Sequence, residues 1–397
     1  MTDTEATAAA AGAARRPLYV LFLLTALMSL GYGGIFTLLA DIRDEFGFSD
    51  ADVGLIAFAG FATGFTCQVV LARYADRGHT ALMLRGGVAV AAVGMVGMVV
   101  ADQLWAWVGA RLLLGIGSGT VGPAVRRLVI TRDPERVGAN LGTQTAFDVG
   151  GFVIGPVLAA VLAETIGLRA PFATLAVVYV ATLLVLLRLD LRTQPGQVVH
   201  RAVRSLVRLP AVQSALAAAV AFYLTIGMFE ALWSILLRDL GAETWLIGVT
   251  LSVFTIPMIL FAPRGGALAQ RRGPIRVVSV SITVASVCTL MYGVSPLWIC
   301  IVVSAVHATA DAFTLPGNQV AVAIASPPDQ VATGQGLLGA TGLAVAGLSA
   351  LFGAAVYEAF GRLAIFGGTA ALMLVFLVVA RWRWSVHERS PGPAPAT

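Results

Sequence analysis

Five polar residues lie along one face of an otherwise apolar stretch between residues 297 and 325: Ser304, His307, Asp311, Thr314 and Asn318. Their spacing of three or four places them on the same side of an α-helix. His307 and Asp311 are one helical turn apart, so the imidazole and the carboxyl group can interact directly. Two chemistries are open for this stripe: transfer of a proton through the pair, or a structural hydrogen-bond network between helices.

Three further ionisable residues, Arg111, Asp148 and Glu230, also lie within apolar stretches. A charge in the middle of a bilayer costs at least about 3 kcal/mol unless it is paired or hydrated. We therefore expect Arg111 to face a bundle interior or a water-filled cavity, where it binds loose carbonyl groups or takes part in function. Asp148 is expected to act in coupling or gating. Glu230, close to Trp233, is either a snorkelling pair with it at the interface or part of a cavity.

The elements that must position these side chains are membrane-spanning helices. The chain has 397 residues, of which 58% are hydrophobic and 12% charged, and its mean hydropathy is +0.87. Soluble domains are roughly half apolar and a quarter charged. Apolar runs of about 20 residues, the length that crosses a bilayer core, recur along the whole chain. We predict an all-α polytopic membrane protein with twelve transmembrane helices in two six-helix pseudo-symmetric halves.

The basic residues indicate the orientation of these spans. All 26 are arginine. With the N-terminus inside, 21 lie on the cytoplasmic side, four outside (Arg43, Arg169, Arg238 and Arg362) and one, Arg111, within a span, which agrees with the positive-inside rule. Both termini are therefore predicted to be cytoplasmic, in the cell inner membrane. The net charge of +5 follows from this topology and from attraction to anionic lipid, so no nucleic-acid partner is expected.

The composition also excludes several kinds of chemistry. Without lysine, the chain has no Gly-Lys-Ser/Thr phosphate-binding loop, so ion gradients rather than nucleotide hydrolysis must drive any pumping. The three cysteines, Cys67, Cys288 and Cys300, lie in separate spans and predict neither a metal site nor a disulfide framework. We expect no metal, no cofactor and no enzymatic activity.

An internal repeat relates the two halves at an offset of 194 residues. It aligns the stretch that begins at Phe46 with the one that begins at Leu240, and pairs Gly47 with Gly241. The same offset aligns the loop after the second span, ARYADRG, with GALAQRR, and pairs Asp76 with Gln270. The resulting predicted domains are an N-terminal six-helix bundle at 1–190, a cytoplasmic linker at 191–209, a C-terminal six-helix bundle at 210–385 and a disordered tail at 386–397.

These paired loops, together with six plus six spans, resemble the major facilitator superfamily over nearly the whole chain. The family's loop reads Gly, three residues, Asp-Arg, any residue, Gly and then basic residues. Asp76 and Arg77 match it in the first copy, and Gly266, Arg271 and Gly273 match it in the second. Ala72 and Gln270 depart from the pattern. The resemblance implies a gating role for these loops.

Spans four and five add two further motifs of this family. Arg111 precedes a glycine cluster, and the family associates this arginine with proton coupling. In span five, Gly142, Gly151, Gly155 and Pro156 have the spacing of the signature of drug and proton exchangers. Gly151 and Gly155 form a small-xxx-small face, and Pro156 removes one helical hydrogen bond. We predict a bendable, tightly packed helix, with simple packing as the alternative.

We accordingly predict a secondary active transporter that exports small, largely apolar molecules in exchange for protons by alternating access. Its expected partners are the substrate, protons and the bilayer, and it is expected to act as a monomer. The predicted proton carrier is Asp311, helped by His307 and Arg111, with Asp148 or Glu230 as alternatives. The alternatives to export are an uptake symporter and a membrane sensor or intramembrane enzyme. The residues predicted to line the substrate cavity are Tyr32, Phe36, Arg111, Tyr223, Glu230, Trp233, His307, Asp311 and Asn318. Plain helix packing would suit the aromatic residues among them equally well.

Overall fold

The computed structural model describes the backbone of residues 3–191 and 203–389. Side chains of residues 3–17, 40, 50, 51, 230, 231, 244, 245, 248 and 251–253 lie outside this description. The first six long helices are α1 (Asp3–Phe46), α2 (Asp50–Val70), α3 (Thr80–Val100), α4 (Leu104–Arg132), α5 (Val137–Thr165) and α6 (Ala170–Arg188). Short helical turns occupy Ala72–Tyr74, Ala75–His79 and Pro134–Arg136.

The second series begins after a five-residue helix, Val203–Val207. It consists of α7 (Pro210–Asp239), α8 (Thr244–Arg272), α9 (Pro274–Val294) and α10 (Leu297–Ala325), followed by the 59-residue segment Val331–Arg389. Gly361 interrupts that segment with φ 76° and ψ 177°, so we divide it into α11 (331–360) and α12 (362–389).

The helices have the length and composition of membrane spans. Among the described residues, nine stretches are long and apolar enough to cross a bilayer. Two of them, 52–100 and 331–389, each contain two long helices, and α8 is an additional helix of 29 residues. The arrangement fits the twelve predicted spans. Large apolar side chains such as Val177 and Val378 are exposed in mid-helix, as expected for a lipid-facing surface.

Left-handed glycines mark the same turns in both halves. Gly47 (φ 67°) and Gly241 (φ 84°) follow α1 and α7, while Gly167 (φ 131°) and Gly361 (φ 76°) separate α5 from α6 and α11 from α12. Each pair is 194 residues apart. Side chains other than glycine rarely adopt these backbone angles. The second glycine pair therefore adds a third place at which the internal repeat holds.

Two compact units make up the chain. Unit 1 contains the described residues within Met1–Arg132 and Phe147–Gly196, and unit 2 those within Asp133–Ala146 and Gln197–Thr397. In unit 1, α4 packs along α2 and α3, and in unit 2, α7 packs along the Val331–Arg389 segment and α10 packs along α8 and α9. The predicted domains assigned all of α5 to the first bundle. In the structure its first residues pack in unit 2, because glycines there let α8 approach.

The second bundle begins at Pro210, the start of α7, as predicted, whereas the predicted start of the tail differs from the structure. Within the linker, 192–202 lie outside the described residues, and a short helix precedes α7. The tail was predicted to be disordered from residue 386, but α12 continues to Arg389. Trp384 packs against an apolar cluster of unit 2 and donates a 2.9 Å hydrogen bond to Glu388, which stabilises this last turn. Residues 390–397 lie outside the described part.

Candidate functional site

The polar stripe of α10 is buried along its whole length. Ser304, His307, Asp311, Thr314 and Asn318 are all at most 5% exposed, and Asp311 is 1% exposed. The stripe therefore faces protein rather than lipid, as its polarity predicted. The Thr314 hydroxyl donates to Ser281 Oγ of α9 at 2.7 Å, whereas Ser304 donates to the backbone of its own helix.

At the centre of this stripe, His307 lies between a tyrosine and a carboxyl group. The Tyr292 hydroxyl is 3.1 Å from His307 Nδ1, and His307 Nε2 is 3.8 Å from Asp311 Oδ1. The second distance exceeds that of a hydrogen bond. Among the described residues, neither His307 Nε2 nor Asp311 Oδ2 has a hydrogen-bond partner. The pair thus has free donor and acceptor capacity in a buried position.

Aromatic rings surround this pair. Tyr292 stacks on the His307 ring with centroids 5.8 Å apart, and Phe254 meets the same ring edge-on at 6.2 Å. Trp233 packs against Tyr292 and donates a 3.0 Å hydrogen bond to Thr250. Trp233, predicted to lie at the membrane interface or in a cavity, is buried in the core of unit 2, and its part in a substrate cavity stays a prediction. The side chain of Glu230 lies outside the described residues.

Two other predicted cavity residues of unit 2 have different surroundings. Tyr223 packs its ring against Gly342 of α11, where a Cβ would lie 2.5 Å from the ring, so helix packing accounts for its position. Asn318 is fully buried, and neither atom of its amide has a partner in the described part of the chain.

In unit 1, Arg111 lies between α1, α2 and α4. Its guanidinium carbon is 4.6 Å from the centroid of the Tyr32 ring and 5.1 Å from that of Phe36. Phe36 stacks on Phe61 at 5.5 Å, and the Tyr32 hydroxyl donates to the carbonyl of Gly60 at 3.1 Å. The structure thus brings together three residues, Tyr32, Phe36 and Arg111, that the sequence placed in one cavity only through the family resemblance.

Asp148 has a partner that sequence reasoning missed. The Ser29 hydroxyl of α1 donates a hydrogen bond to the Asp148 carboxylate of α5. Nothing about Ser29 distinguishes it in the sequence, since a serine in a membrane helix usually bonds its own backbone. Tyr292 was missed for a related reason. Its role depends on α9 lying beside α10, which no local pattern reveals.

The loop between α2 and α3 contains a buried ion pair. Asp76 accepts a 2.5 Å hydrogen bond from Arg127 Nη1 of α4, and both side chains are almost completely buried. Arg77 is exposed and lies over the ring of Tyr74. Asp76 therefore forms an ion pair with an arginine of α4 within unit 1.

We expect Asp76→Asn to lower the free energy of unfolding by about 3–5 kcal/mol, because it leaves the Arg127 charge buried without its partner. Asp102→Asn is the matched control, since Asp102 pairs with Arg169 but is 70% exposed, and such pairs contribute about 0–1 kcal/mol. Thermal melting of the purified proteins measures both effects. Equal small losses in the two variants would contradict this assignment.

In the second copy of this loop, Gln270 caps the start of α5. Its Oε1 accepts a 2.7 Å hydrogen bond from the Gly138 N–H, and its Nε2 donates to the carbonyls of Pro134 and Glu135 at 3.1 Å. A helix N-terminus leaves such N–H groups without partners inside the helix. Gln270 departs from the family pattern. It forms hydrogen bonds with backbone groups that water would satisfy at an exposed helix end.

The glycines of both family motifs lie at helix contacts. Cβ atoms at Gly142 and Gly266 would overlap the backbone carbonyls of Ala262 and Gly138, respectively. Gly273 ends α8 with φ 90°. Arg271 is exposed.

The second part of α5 packs on α1 through the predicted small-residue face. A Cβ at Gly151 would overlap the carbonyl of Ala26, and one at Gly155 would overlap that of Leu30. Pro156 follows directly and continues the helix without donating a hydrogen bond. The two helices therefore approach to backbone contact along two successive turns.

Comparison with known proteins places these features in context. The family model of the Major Facilitator Superfamily matches residues 21–229 and 215–397. The multidrug resistance protein MdtG of Serratia proteamaculans is 29% identical over 327 residues, which is 79% of this chain and 78% of the relative. MdtG of Dickeya zeae is 29% identical over 318 residues, 76% of this chain and 77% of the relative.

Solved structures share the fold. The human organic anion transporter MFSD10 matches with a TM-score of 0.74 and 20% identity over 92% of this chain and 99% of its own. The E. coli fucose:proton symporter FucP matches with a TM-score of 0.77 and 15% identity over 92% of this chain and 98% of its own.

Proposed function

Because the chain belongs to the Major Facilitator Superfamily, we propose that it is a proton-coupled secondary transporter that exports small, largely apolar molecules by alternating access. The relatives named multidrug resistance protein support export, since they resemble this chain over more than three quarters of its length. We place the protein in the cell inner membrane as a monomer with both termini in the cytoplasm. Its partners in this proposal are the substrate, protons and lipid.

The observation that carries proton coupling is the buried Tyr292–His307–Asp311 group. A carboxyl group among apolar rings is more stable uncharged, and it becomes more stable charged once water reaches it. A transporter that alternately closes and opens around Asp311 would therefore bind and release one proton per cycle. His307 either relays this proton or fixes the carboxyl group in place, while Tyr292 orients the imidazole through Nδ1.

Asp148 is a second candidate for the proton. Its carboxylate accepts a hydrogen bond from Ser29, which stabilises the charged form, whereas Asp311 Oδ2 has no hydrogen-bond partner among the described residues. We therefore assign the proton to Asp311 and a gating role on α5 to Asp148. Arg111 lies in unit 1 and Asp311 in unit 2, and the help of Arg111 to Asp311 stays a prediction.

Everted membrane vesicles with an acidified lumen and an entrapped pH dye test the proposal. We expect addition of lipophilic aromatic compounds to make the lumen more alkaline, because export into the lumen returns protons to the outside. Further acidification would indicate symport, the alternative for a nutrient importer. No response to any compound would favour a sensor or an intramembrane enzyme. Vesicles without the protein provide the baseline.

A further inference from the structure

We propose that Arg111 is an anion-binding subsite and that the exported molecules carry a carboxylate beside an aromatic body. This inference rests on the proposed function for its physiological meaning, but binding alone tests it. The predicted substrate is then an amphipathic organic anion rather than a largely apolar molecule in general. Tyr32 and Phe36 would contact the aromatic part, and the guanidinium would bind the charge.

The main observation is a buried guanidinium whose donors have no partner among the described residues. Arg111 is 0% exposed, yet Nε, Nη1 and Nη2 have no hydrogen-bond partner, and it forms no ion pair, in the part of the chain that the structure describes. Arg127, on the same helix and also buried, donates to Asp76 at 2.5 Å. Buried charges are normally paired because an isolated one is costly. Arg111 therefore lacks the partner that Arg127 has.

The surroundings hold the guanidinium in place without using its donors. Tyr32 and Phe36 lie within cation–π distance, and the Tyr32 hydroxyl is fixed by the Gly60 carbonyl and by Ser118 at 3.1 Å each. A Cβ at Gly60 would lie 2.9 Å from the guanidinium carbon, so the guanidinium packs closely against α2 at a position without a side chain. Aromatic rings interact with the face of a guanidinium, whereas its N–H groups point outward in its plane.

A planar carboxylate would satisfy these unpartnered N–H groups. Arginine forms two parallel hydrogen bonds to a carboxylate, a geometry that a protonated amine or a neutral amide cannot reproduce. The adjacent rings extend the site by an aromatic wall, because Phe61 stacks on Phe36 at 5.5 Å. A small inorganic anion such as chloride has the same charge but would not contact these aromatic rings.

The test uses the purified full-length protein in detergent, without a proton gradient. Thermal shifts are measured with a panel of aromatic carboxylates, each paired with the amide of the same skeleton, in chloride and in gluconate buffer. We expect at least one carboxylate to bind with at least about tenfold higher affinity than its amide, which corresponds to about 1.4 kcal/mol. Equal binding of every pair, or no binding by any carboxylate, would overturn the proposal.

Comparison of the chloride and gluconate buffers shows whether Arg111 binds an inorganic anion or the carboxylate of a substrate. If chloride alone raises the melting temperature relative to gluconate and no carboxylate competes with it, Arg111 binds an inorganic anion and the substrate proposal is lost. If the carboxylate binds equally well in both buffers, the anion that Arg111 binds is the carboxylate of the substrate.

Variants separate this site from a structural role. Arg111→Met should remove the preference for carboxylate and leave the melting temperature of the ligand-free protein unchanged or higher, because an unpaired buried charge is replaced by an apolar chain. A structural arginine would instead destabilise the protein on replacement. Arg111→Lys should keep part of the preference. The control is Arg132→Gln, which removes an arginine that donates to the carbonyl of Asp190.

The outcome is independent of the proton-coupling proposal. Thr309→Val, which removes a hydroxyl that donates to the carbonyl of Ala305 on α10, should preserve the preference for carboxylate in this assay. Loss of the preference in Arg111→Met together with preserved binding in Thr309→Val supports the anion site, even if vesicles show no proton movement. A preference that persists in Arg111→Met would contradict it.

Discussion

Asp311→Asn is expected to reduce proton-driven export to the background of vesicles without the protein. The amide has the size of the carboxyl group but cannot take up or release a proton in the pH range of the assay. Substrate would therefore no longer be exchanged for protons. Substrate binding and energy-independent exchange should remain in part, because the fold around His307 and Tyr292 is kept. Proton-driven uptake of a dye into acidified everted vesicles, and its counterflow without a gradient, measure the two activities.

Two controls accompany this variant. Thr309→Val removes a hydroxyl of the same helix that donates to the carbonyl of Ala305, and it should leave export unchanged. Asp148→Asn tests the competing acid on α5. If Asp311→Asn and Asp311→Ala both retained full proton-coupled export, the proton carrier would have to be Asp148 or Glu230.

Gly155→Leu is expected to stop transport without preventing membrane insertion. A side chain there would overlap the carbonyl of Leu30, and the nearby backbone of Gly34 lies 3.0 Å from the position of the Cβ. Backbone cannot move aside as a flexible side chain can, so α1 and α5 would separate. Overpacking of this kind costs about 1–3 kcal/mol, which is compatible with a folded but non-functional protein.

Gly122→Leu is the matched control for this variant. Gly122 lies in α4, and a Cβ there would meet no atom within 4 Å. It should insert and transport as the wild type does, because the added chain enters open space. Expression, melting temperature and dye export of the two variants are compared side by side. Normal export by a well-expressed Gly155→Leu protein would mean that α5 is an ordinary packed helix.

Much of the fold was predictable because a bilayer restricts what a sequence can form. Backbone groups within hydrocarbon must be bonded internally, so each long apolar run becomes a helix with ends marked by polar residues or glycine. The repeat at 194 residues could likewise be detected from Gly47 and Gly241, whose left-handed angles follow from the turn that each occupies. The limits of α12 were not predictable, because its last turn depends on Trp384 packing against distant residues.

The candidate site was predictable only where one helix contains all the participants. His307 and Asp311 are four residues apart, so helical geometry alone placed them together. Tyr292 and Ser29 could not be found in this way, since each approaches its partner from another helix. The surroundings of Trp233 could not be predicted either, because an indole near a helix end suits the interface, a cavity or a packed core. Its burial and its hydrogen bond to Thr250 depend on a neighbouring helix.

The sequence by itself thus determined the class of protein, its spans, its repeat and the helix faces on which chemistry is possible. These properties depend on composition and on the period of the helix, which are local. Only the tertiary structure decided which buried charges have partners. Arg111 and Arg127 belong to the same helix, yet Arg127 pairs with an aspartate whereas Arg111 packs against aromatic rings. That difference depends on which residues neighbouring helices present at the same depth, and no spacing within a single helix encodes it.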